Sequence, residues 1–405
     1  MTDRGAPVFY VKVFPPGSQA AKRIDVSERV TSFEFEDIES AADKVSLDLD
    51  NFDLGVFDDP IWKKGNLLEC AWGYAGNLAP AREVVITSIK GNQVVKVEGL
   101  AKSILMNQKP RVRLFEHMTR AQIVAKIARE NGYGDDELIL DDTKIVLPSV
   151  AQSNLTDAQF LKSLAAREGF QFYVDFEGLH FHRRRMNGQP KRTFVYYNDP
   201  GQGDVLGFNV ENDITAKPGA VTAKGRDPLE KKDINVTGDN ASTDRDTLAP
   251  IIEIVDPVTG ESSFQRTGAE ATILTNAQDA ASAKREADGR FIQAQQTTVL
   301  LSLTCIGDPQ VAAKQIIQVQ GLGKRLSGKY YVRSARHKVN ATDYTMDLQT
   351  RTDGTQGTGT VGNTKSDGDT NAKGVGDAGA LAPREVIDPV TGEATTQFVQ
   401  GSQTP

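Results

Sequence analysis

The pattern that most constrains this chain is a period-two alternation of apolar and polar residues at both ends of its first 352 residues. In Lys44–Asp50, Val45, Leu47 and Leu49 alternate with Lys44, Ser46, Asp48 and Asp50. That spacing places one face of a strand in a core and the other in water. Strand-like runs at Val8–Phe14, Leu67–Tyr74, Val84–Ile89 and Val94–Glu98 follow one another at short intervals, separated by Gly, Asn and Pro. Several short strands at this spacing predict a small barrel over 1–105. The pattern returns in Val205–Val210, Thr297–Cys305, Ile316–Gly321 and Lys329–Gln349, and predicts a second barrel over 199–352. Glu83–Gly99 and Lys329–Gln349 share a strand-turn-strand layout, each after an apolar strand ending in Gly. A duplication is the expected origin.

Helical periodicity occupies the middle of the chain. Thr119 and Gln122 form a capping box, Val124, Ile127 and Ala128 a buried stripe, and Gly132 a stop signal. Thr156 and Gln159 repeat the box, Phe160, Leu161 and Leu164 the stripe, and Gly169 the stop. Extended segments are expected at Leu138–Leu147 and Phe170–Phe181, making 106–198 a compact α+β domain. The expected fold class is therefore α+β, mainly β: two similar small β-barrels separated by that domain, with an extended C-terminal tail.

A polar, turn-rich insertion at about 227–272 interrupts the second barrel, and Asn276–Ala294 reads as a helix with Gly289 as its weak point. Beyond Thr352 the composition changes. Residues 353–380 carry no aromatic and almost nothing to bury, so alone they are expected to be disordered. From Thr352 onward three basic residues face seven acidic ones, a net of −4 out of −7 for the whole chain. The tail, 353–405, also repeats a motif of the insertion. Leu-Ala-Pro and then Asp-Pro-Val-Thr-Gly-Glu occur at Leu248 to Glu261 and again at Leu381 to Glu393. The Asp-Pro-Val-Thr-Gly turn predicts two short hairpins, each with a Phe after it. Asp256, Pro257, Gly260 and Phe264, with Asp388, Pro389, Gly392 and Phe398, are the candidate docking residues. They are either a convenient turn used twice or a pair of elements that add strands to neighbouring sheet edges.

Gly307–Val339, with its Gly-Leu-Gly loop and Ser-Gly-Lys-Tyr-Tyr-Val strand, followed by Tyr344–Gln349, resembles the closing barrel of the phage late control D family of baseplate hubs. Glu168–Arg183 resembles that family's middle domain. The family usually has a glycine where Lys314 stands, which predicts a turn of different construction before Ile316. The resemblance implies a structural hub of a contractile injection machine, related to the hub part of type VI secretion spike proteins. It implies a homotrimer whose two barrels per chain adapt a hexameric tail tube to a separate trimeric spike, around a central channel. Its implied partners are the tube or a tube initiator, the spike and other baseplate proteins. Assembly in the cytoplasm and residence in the baseplate of a phage or phage-derived particle follow. The alternative is a cell-wall-binding or wall-degrading tail component with a LysM-like middle domain, whose pair of close strands flanking two helices is not evident.

The net charge of −7 argues against a general nucleic-acid binder. No apolar run approaches the ~18 residues of a membrane span, and the N-terminus lacks the design of a secretory signal. Cys70 and Cys305, far apart in strand patterns, read as buried reduced thiols. No residue pattern makes a catalytic, cofactor or metal site. His180 and His182, two apart on a strand, share one face that reads as solvated or interfacial. Asp367, Asp369 and Asn371 start like a calcium loop, but Ala372 and Ala378 stand where Gly and Glu are needed. The basic groups Arg183, Arg184 and Arg185, with Lys324 and Arg325, are either ordinary exposed loops or a charged interface for acidic partners.

Overall fold

The computed structural model describes residues 5–16, 23–52, 54–184, 188–196, 203–211, 220–227, 231–238, 254–255, 262–263, 270–275, 277, 280–295, 299–352, 381–387 and 394–400. The chain opens with β1 (Pro7–Phe14), β2 (Ile24–Asp25), β3 (Val30–Ile38), β4 (Lys44–Asp50), β5 (Leu67–Tyr74), β6 (Asn77–Leu78), β7 (Arg82–Gly91) and β8 (Val94–Ala101). Next come β9 (Arg111–Met118), α1 (Arg120–Glu130), β10 (Leu138–Leu140), β11 (Leu147–Leu155), α2 (Asp157–Glu168), β12 (Phe170–Val174) and β13 (Leu179–Arg183). Then follow β14 (Thr193–Val195), β15 (Val205–Glu211), β16 (Ala220–Arg226), β17 (Asp233–Gly238), β18 (Ile254–Val255), β19 (Ser262–Ser263), β20 (Glu270–Leu274) and α3 (Ala280–Gln295). The last are β21 (Val299–Ile306), β22 (Ile316–Gln320), α4 (Gly323–Leu326), β23 (Gly328–Asn340), β24 (Tyr344–Thr352), β25 (Leu381–Ile387) and β26 (Ala394–Gln400).

The two β regions belong to one sheet. Its path runs β15-β21-β24-β23-β3-β4-β8-β7-β5-β1-β2, with β22 and β14 branching from β23 and β6 from β5. The seam is the antiparallel pairing of β23 with β3, from Ser334 opposite Ile38 to Asn340 opposite Ser32. No closed barrel is formed among the described residues; the two expected barrel regions instead share one sheet and keep separate apolar cores. The first core gathers Phe33, Phe35, Leu47, Leu68 and Trp72, and the second Leu301, Leu303, Tyr330, Val332 and Leu348. β23 serves both, because thirteen residues outlast one core: Tyr330 and Val332 enter the second, Val339 the first. Cys70 and Cys305 are buried in different cores and form no disulfide.

Between the two regions α1 and α2 cover a third core. Both capping boxes form as their sequence requires. Gln122 N–H donates to Thr119 Oγ1 at 3.2 Å and Thr119 N–H to Gln122 Oε1 at 2.9 Å, with 3.3 and 3.1 Å for the Thr156–Gln159 pair. Gly169 ends α2 in the left-handed conformation, φ 69°. The segment Phe170–Phe181 is a hairpin and not a single strand, because the Asp175 carboxylate takes the amides of Glu177 and Gly178 and turns the chain. Two strands, β10 and β11, lie between the helices, so a pair of consecutive helices flanked by close strands is absent here.

The insertion also departs from expectation. β16 pairs with β17 and β20, and α3 packs on them through Ala283, Ala287 and Phe291, giving a small core of their own. α3 runs unbroken through Gly289, whose Cα lies against Gly169, the residue that caps α2. A Cβ at Gly289 would stand 2.9 Å from the Gly169 nitrogen and 3.0 Å from its Cα. In an open helix Gly→Ala gains about 0.5–1 kcal/mol. Here the backbone contact reverses the sign: Gly289→Ala is expected to lower stability by roughly 1–3 kcal/mol, read as a fall in melting temperature. A rise would show that the two helices can separate freely. Both Asp-Pro-Val-Thr-Gly-Glu segments are flanked by antiparallel pairs in one register, Val255 opposite Ser262 and Ile387 opposite Ala394.

Candidate functional site

β3 sets the site. Phe33, Phe35 and Asp37 fall on its inward face by the period of two, so a carboxylate follows two aromatic rings into the interior. Phe33 and Phe35 pack on Trp72 at 5.5 and 4.3 Å, and Trp72 packs on His337 of β23 at 5.3 Å. Burial pushes His337 down to about 4, so its neutral ring sits in the seam, bonded through Nδ1 to the Tyr344 hydroxyl at 2.8 Å.

Two charged clusters meet at the end of β3 and the turn that leads to β4. In the first, Glu39 lies between Arg184, just past β13, and Arg351 of β24, both with Nη2 at 2.5 Å. Gln171 Nε2 donates to Glu39 Oε1 at 2.7 Å and to the Tyr331 hydroxyl at 2.6 Å. Both guanidinium groups lie over the Tyr331 ring, at 5.3 and 5.2 Å. Burial alone would push the Glu39 carboxyl up, but Arg184 and Arg351 outweigh it and hold the group below its ordinary value. Burial pulls Arg351 down to about 10 and pushes Tyr331 up to about 12.

In the second cluster Lys314, from the loop before β22, reaches Asp37 Oδ1 at 2.5 Å and Asp43 Oδ1 at 3.9 Å. All three side chains are 6% exposed. Asp37 Oδ2 also accepts the Ala313 amide at 3.1 Å, whereas Asp43 Oδ1 has no hydrogen-bond partner among the described residues. Burial, and then the Asp37 charge, push Asp43 well above the carboxylate range against the pull of Lys314 and Arg82. Burial opposes the Lys314 ammonium, but Asp37 and Asp43 overcome it and raise its value. Nζ lies 4.9 Å from the Tyr173 ring of β12. Lys314 has φ 67°, the left-handed region that a glycine would occupy without strain. The turn is thus glycine-like in shape, and the lysine is kept there by its charge contacts.

His180 and His182 adjoin this cluster. They are buried within the chain, which corrects the reading of a solvated or interfacial face. His180 stacks on Tyr173 at 4.3 Å and binds Asp175 through Nε2 at 2.9 Å.

The outer face of the joined sheet carries a row of alternating charge. Asp347 of β24 stands opposite Arg336 of β23, which stands opposite Glu36 of β3, itself opposite Lys44 of β4. Lys44 reaches Glu98 of β8 at 2.7 Å, and Lys90 of β7 meets the same carboxylate at 2.8 Å. Hydrogen bonds from these two lysines hold Glu98 down to about 2. Six neighbouring strands from both β regions thus share one self-neutralised polar surface.

Of the residues singled out from sequence, the structure brings Arg184 into the Glu39 cluster. Arg183 stays exposed, its amide donating to Asp141. Lys324 and Arg325 lie on α4 and Phe398 on β26, with side chains outside the described residues. Arg185, Asp256, Pro257, Gly260, Phe264, Asp388, Pro389 and Gly392 also lie outside them. Sequence reasoning missed Asp37, Glu39, Asp43 and Arg351. The available signal was Asp37 itself, an acid at the inward position of an aromatic alternation.

Sheet, joint and charge row together define a mainly β protein of two linked β units braced by an α+β region. The chain belongs to the family described as the Alg8 N-terminal domain, which matches residues 9–341. This is a different family from the late control D proteins that its closing strands resemble. No curated protein matches the chain. Among solved structures it is similar to a tail protein from Neisseria meningitidis, at 12% identity and TM-score 0.59, over 85% of this chain and 97% of that one. It is similar to the 43 kDa tail protein of prophage MuSo2 from Shewanella oneidensis, at 14% identity and TM-score 0.57, over 84% and 97%. An Escherichia coli protein described as a component of the type VI secretion system aligns at 13% identity and TM-score 0.51, over 93% and 84%. At these identities the likeness is one of fold.

Proposed function

We propose that this chain is a structural hub of a contractile tail or a related injection particle. Three copies would form a ring in which the two β units of each chain alternate around a passage. Six similar walls then meet a hexameric tube at one end, and threefold symmetry meets a trimeric spike at the other. The observation that carries this reading is the single sheet running through both β units by way of β23 and β3. Its alternating charges suit the wall of a water-filled passage, since a surface already neutralised holds no charged cargo. The fold likeness to two tail proteins over most of both chains points the same way. Phe52, Leu54 and Phe57, apolar and exposed between β4 and β5, supply surface that association would cover. In this reading the repeated hairpins, with Asp256 to Phe264 and Asp388 to Phe398, dock on neighbouring subunits or baseplate proteins, and the chain works by geometry without catalysis. Sedimentation of the purified protein, alone and with a tube protein, tests it. A species of three chains is expected, and a monomer under both conditions would overturn it.

A further inference from the structure

The connection from β3 to β4 gathers charge from both β units and the α+β region. Glu39 is held by Arg184, Gln171 and Arg351, and Asp37 and Asp43 by Lys314. Gln171, Tyr173 and Arg184 belong to the α+β region; Lys314, Tyr331 and Arg351 belong to the second β unit; Asp37, Glu39 and Asp43 belong to the first. Apolar cores stand on either side of the joint, but the joint itself is ionic and buried. Such a contact is strong only while its charges balance, because an uncompensated buried charge is costly.

We propose that residues 37–43 are a charge-operated clasp that holds the α+β region on the paired β units and loosens when either cluster loses its balance. The two ends respond to opposite changes. Facing Glu39 are Arg184 past β13, Gln171 of β12, Tyr331 of β23 and Arg351 of β24, with Arg333 of β23 near Arg351. Facing Asp37 and Asp43 are Lys314, Arg82 of β7, Cys70 of β5, His337 of β23, and Asp175 beside His180 in the β12–β13 hairpin. Glu39 has a depressed value in the fold, so its contribution is present above the unfolded carboxylate range and is lost on acidification. Asp43 has a raised value, so its contribution is present at low pH and is lost as pH rises through the folded value. The clasp is therefore tightest between the two. A particle could use either limit to free the α+β region while both β units stay paired.

Hydrogen exchange of the full chain, corrected for the intrinsic pH dependence of the amides, tests this. In Glu39→Gln at pH 7, residues 170–183 are expected to exchange roughly tenfold faster or more, with β5 and β8 unchanged. An equal rise everywhere, or none, would overturn the clasp. Asp43→Asn, which imitates the protonated acid, is expected to match the parent where Asp43 is protonated and to remove the loss of protection expected in the parent as pH rises through the folded value of Asp43. If Asp43→Asn exchanges faster than the parent throughout a pH series, or loses protection with rising pH as the parent does, the clasp is refuted independently of Glu39→Gln.

Discussion

Replacing Lys314 by methionine is expected to cost about 3–5 kcal/mol of stability, the range found when one partner of a buried ion pair is removed. The loss is large because the Asp37 carboxylate, buried beside Asp43, would lose its ammonium partner. Lys314→Gly separates side chain from backbone. Lys314 occupies φ 67°, and a non-glycine residue there carries a strain of about 1–2 kcal/mol. Glycine removes that strain together with the ammonium, so Lys314→Gly should be milder than Lys314→Met by about that amount. Denaturant midpoints of the two variants measure the difference. If glycine proves the more damaging, the left-handed turn is not what the lysine pays for with its charge contacts.

Trp72→Ala should cost about 3–5 kcal/mol, the usual range for an aromatic-to-Ala change in a core. Trp72 is 2% exposed and packs on Phe33 and Phe35 of β3 and on His337 of β23, so it backs the strand pair that joins the two β units. The loss should therefore reach beyond the first unit. In hydrogen exchange, amides of both β3 and β23 should lose protection together. Loss confined to β3 would show that the first core stands without the seam.

The elements legible in the sequence were those specified by local chemistry. The Thr119 and Thr156 capping boxes each need only a hydroxyl and an amide three residues apart, and both form. β5 runs over the residues its apolar run marks, Leu67 to Tyr74. β3 was not read, although Phe33 and Phe35 alternate with Glu34 and Glu36 as plainly as Val45 and Leu47 alternate with their neighbours. The seam could not be read at all. Pairing Ser334 with Ile38 joins residues almost three hundred positions apart, and nothing local in either strand chooses that partner over another. The candidate joint was hidden for the same reason: Lys314 is recognisable as an unusual residue for its turn, but Asp37 and Asp43 become its partners only once the sheet has formed. The basic cluster at Arg183 and Arg184 divides in the structure, since one side chain stays in water while its neighbour is drawn into the Glu39 cluster.

Electron microscopy of the purified protein bound to a tail-tube partner, averaged without imposed symmetry, is the most direct trial of the whole account. Rings with three subunits and six similar lobes, the charged sheet face turned inward, are what it predicts. A single lobe per subunit, or lobes whose sheets face away from the ring axis, would contradict it.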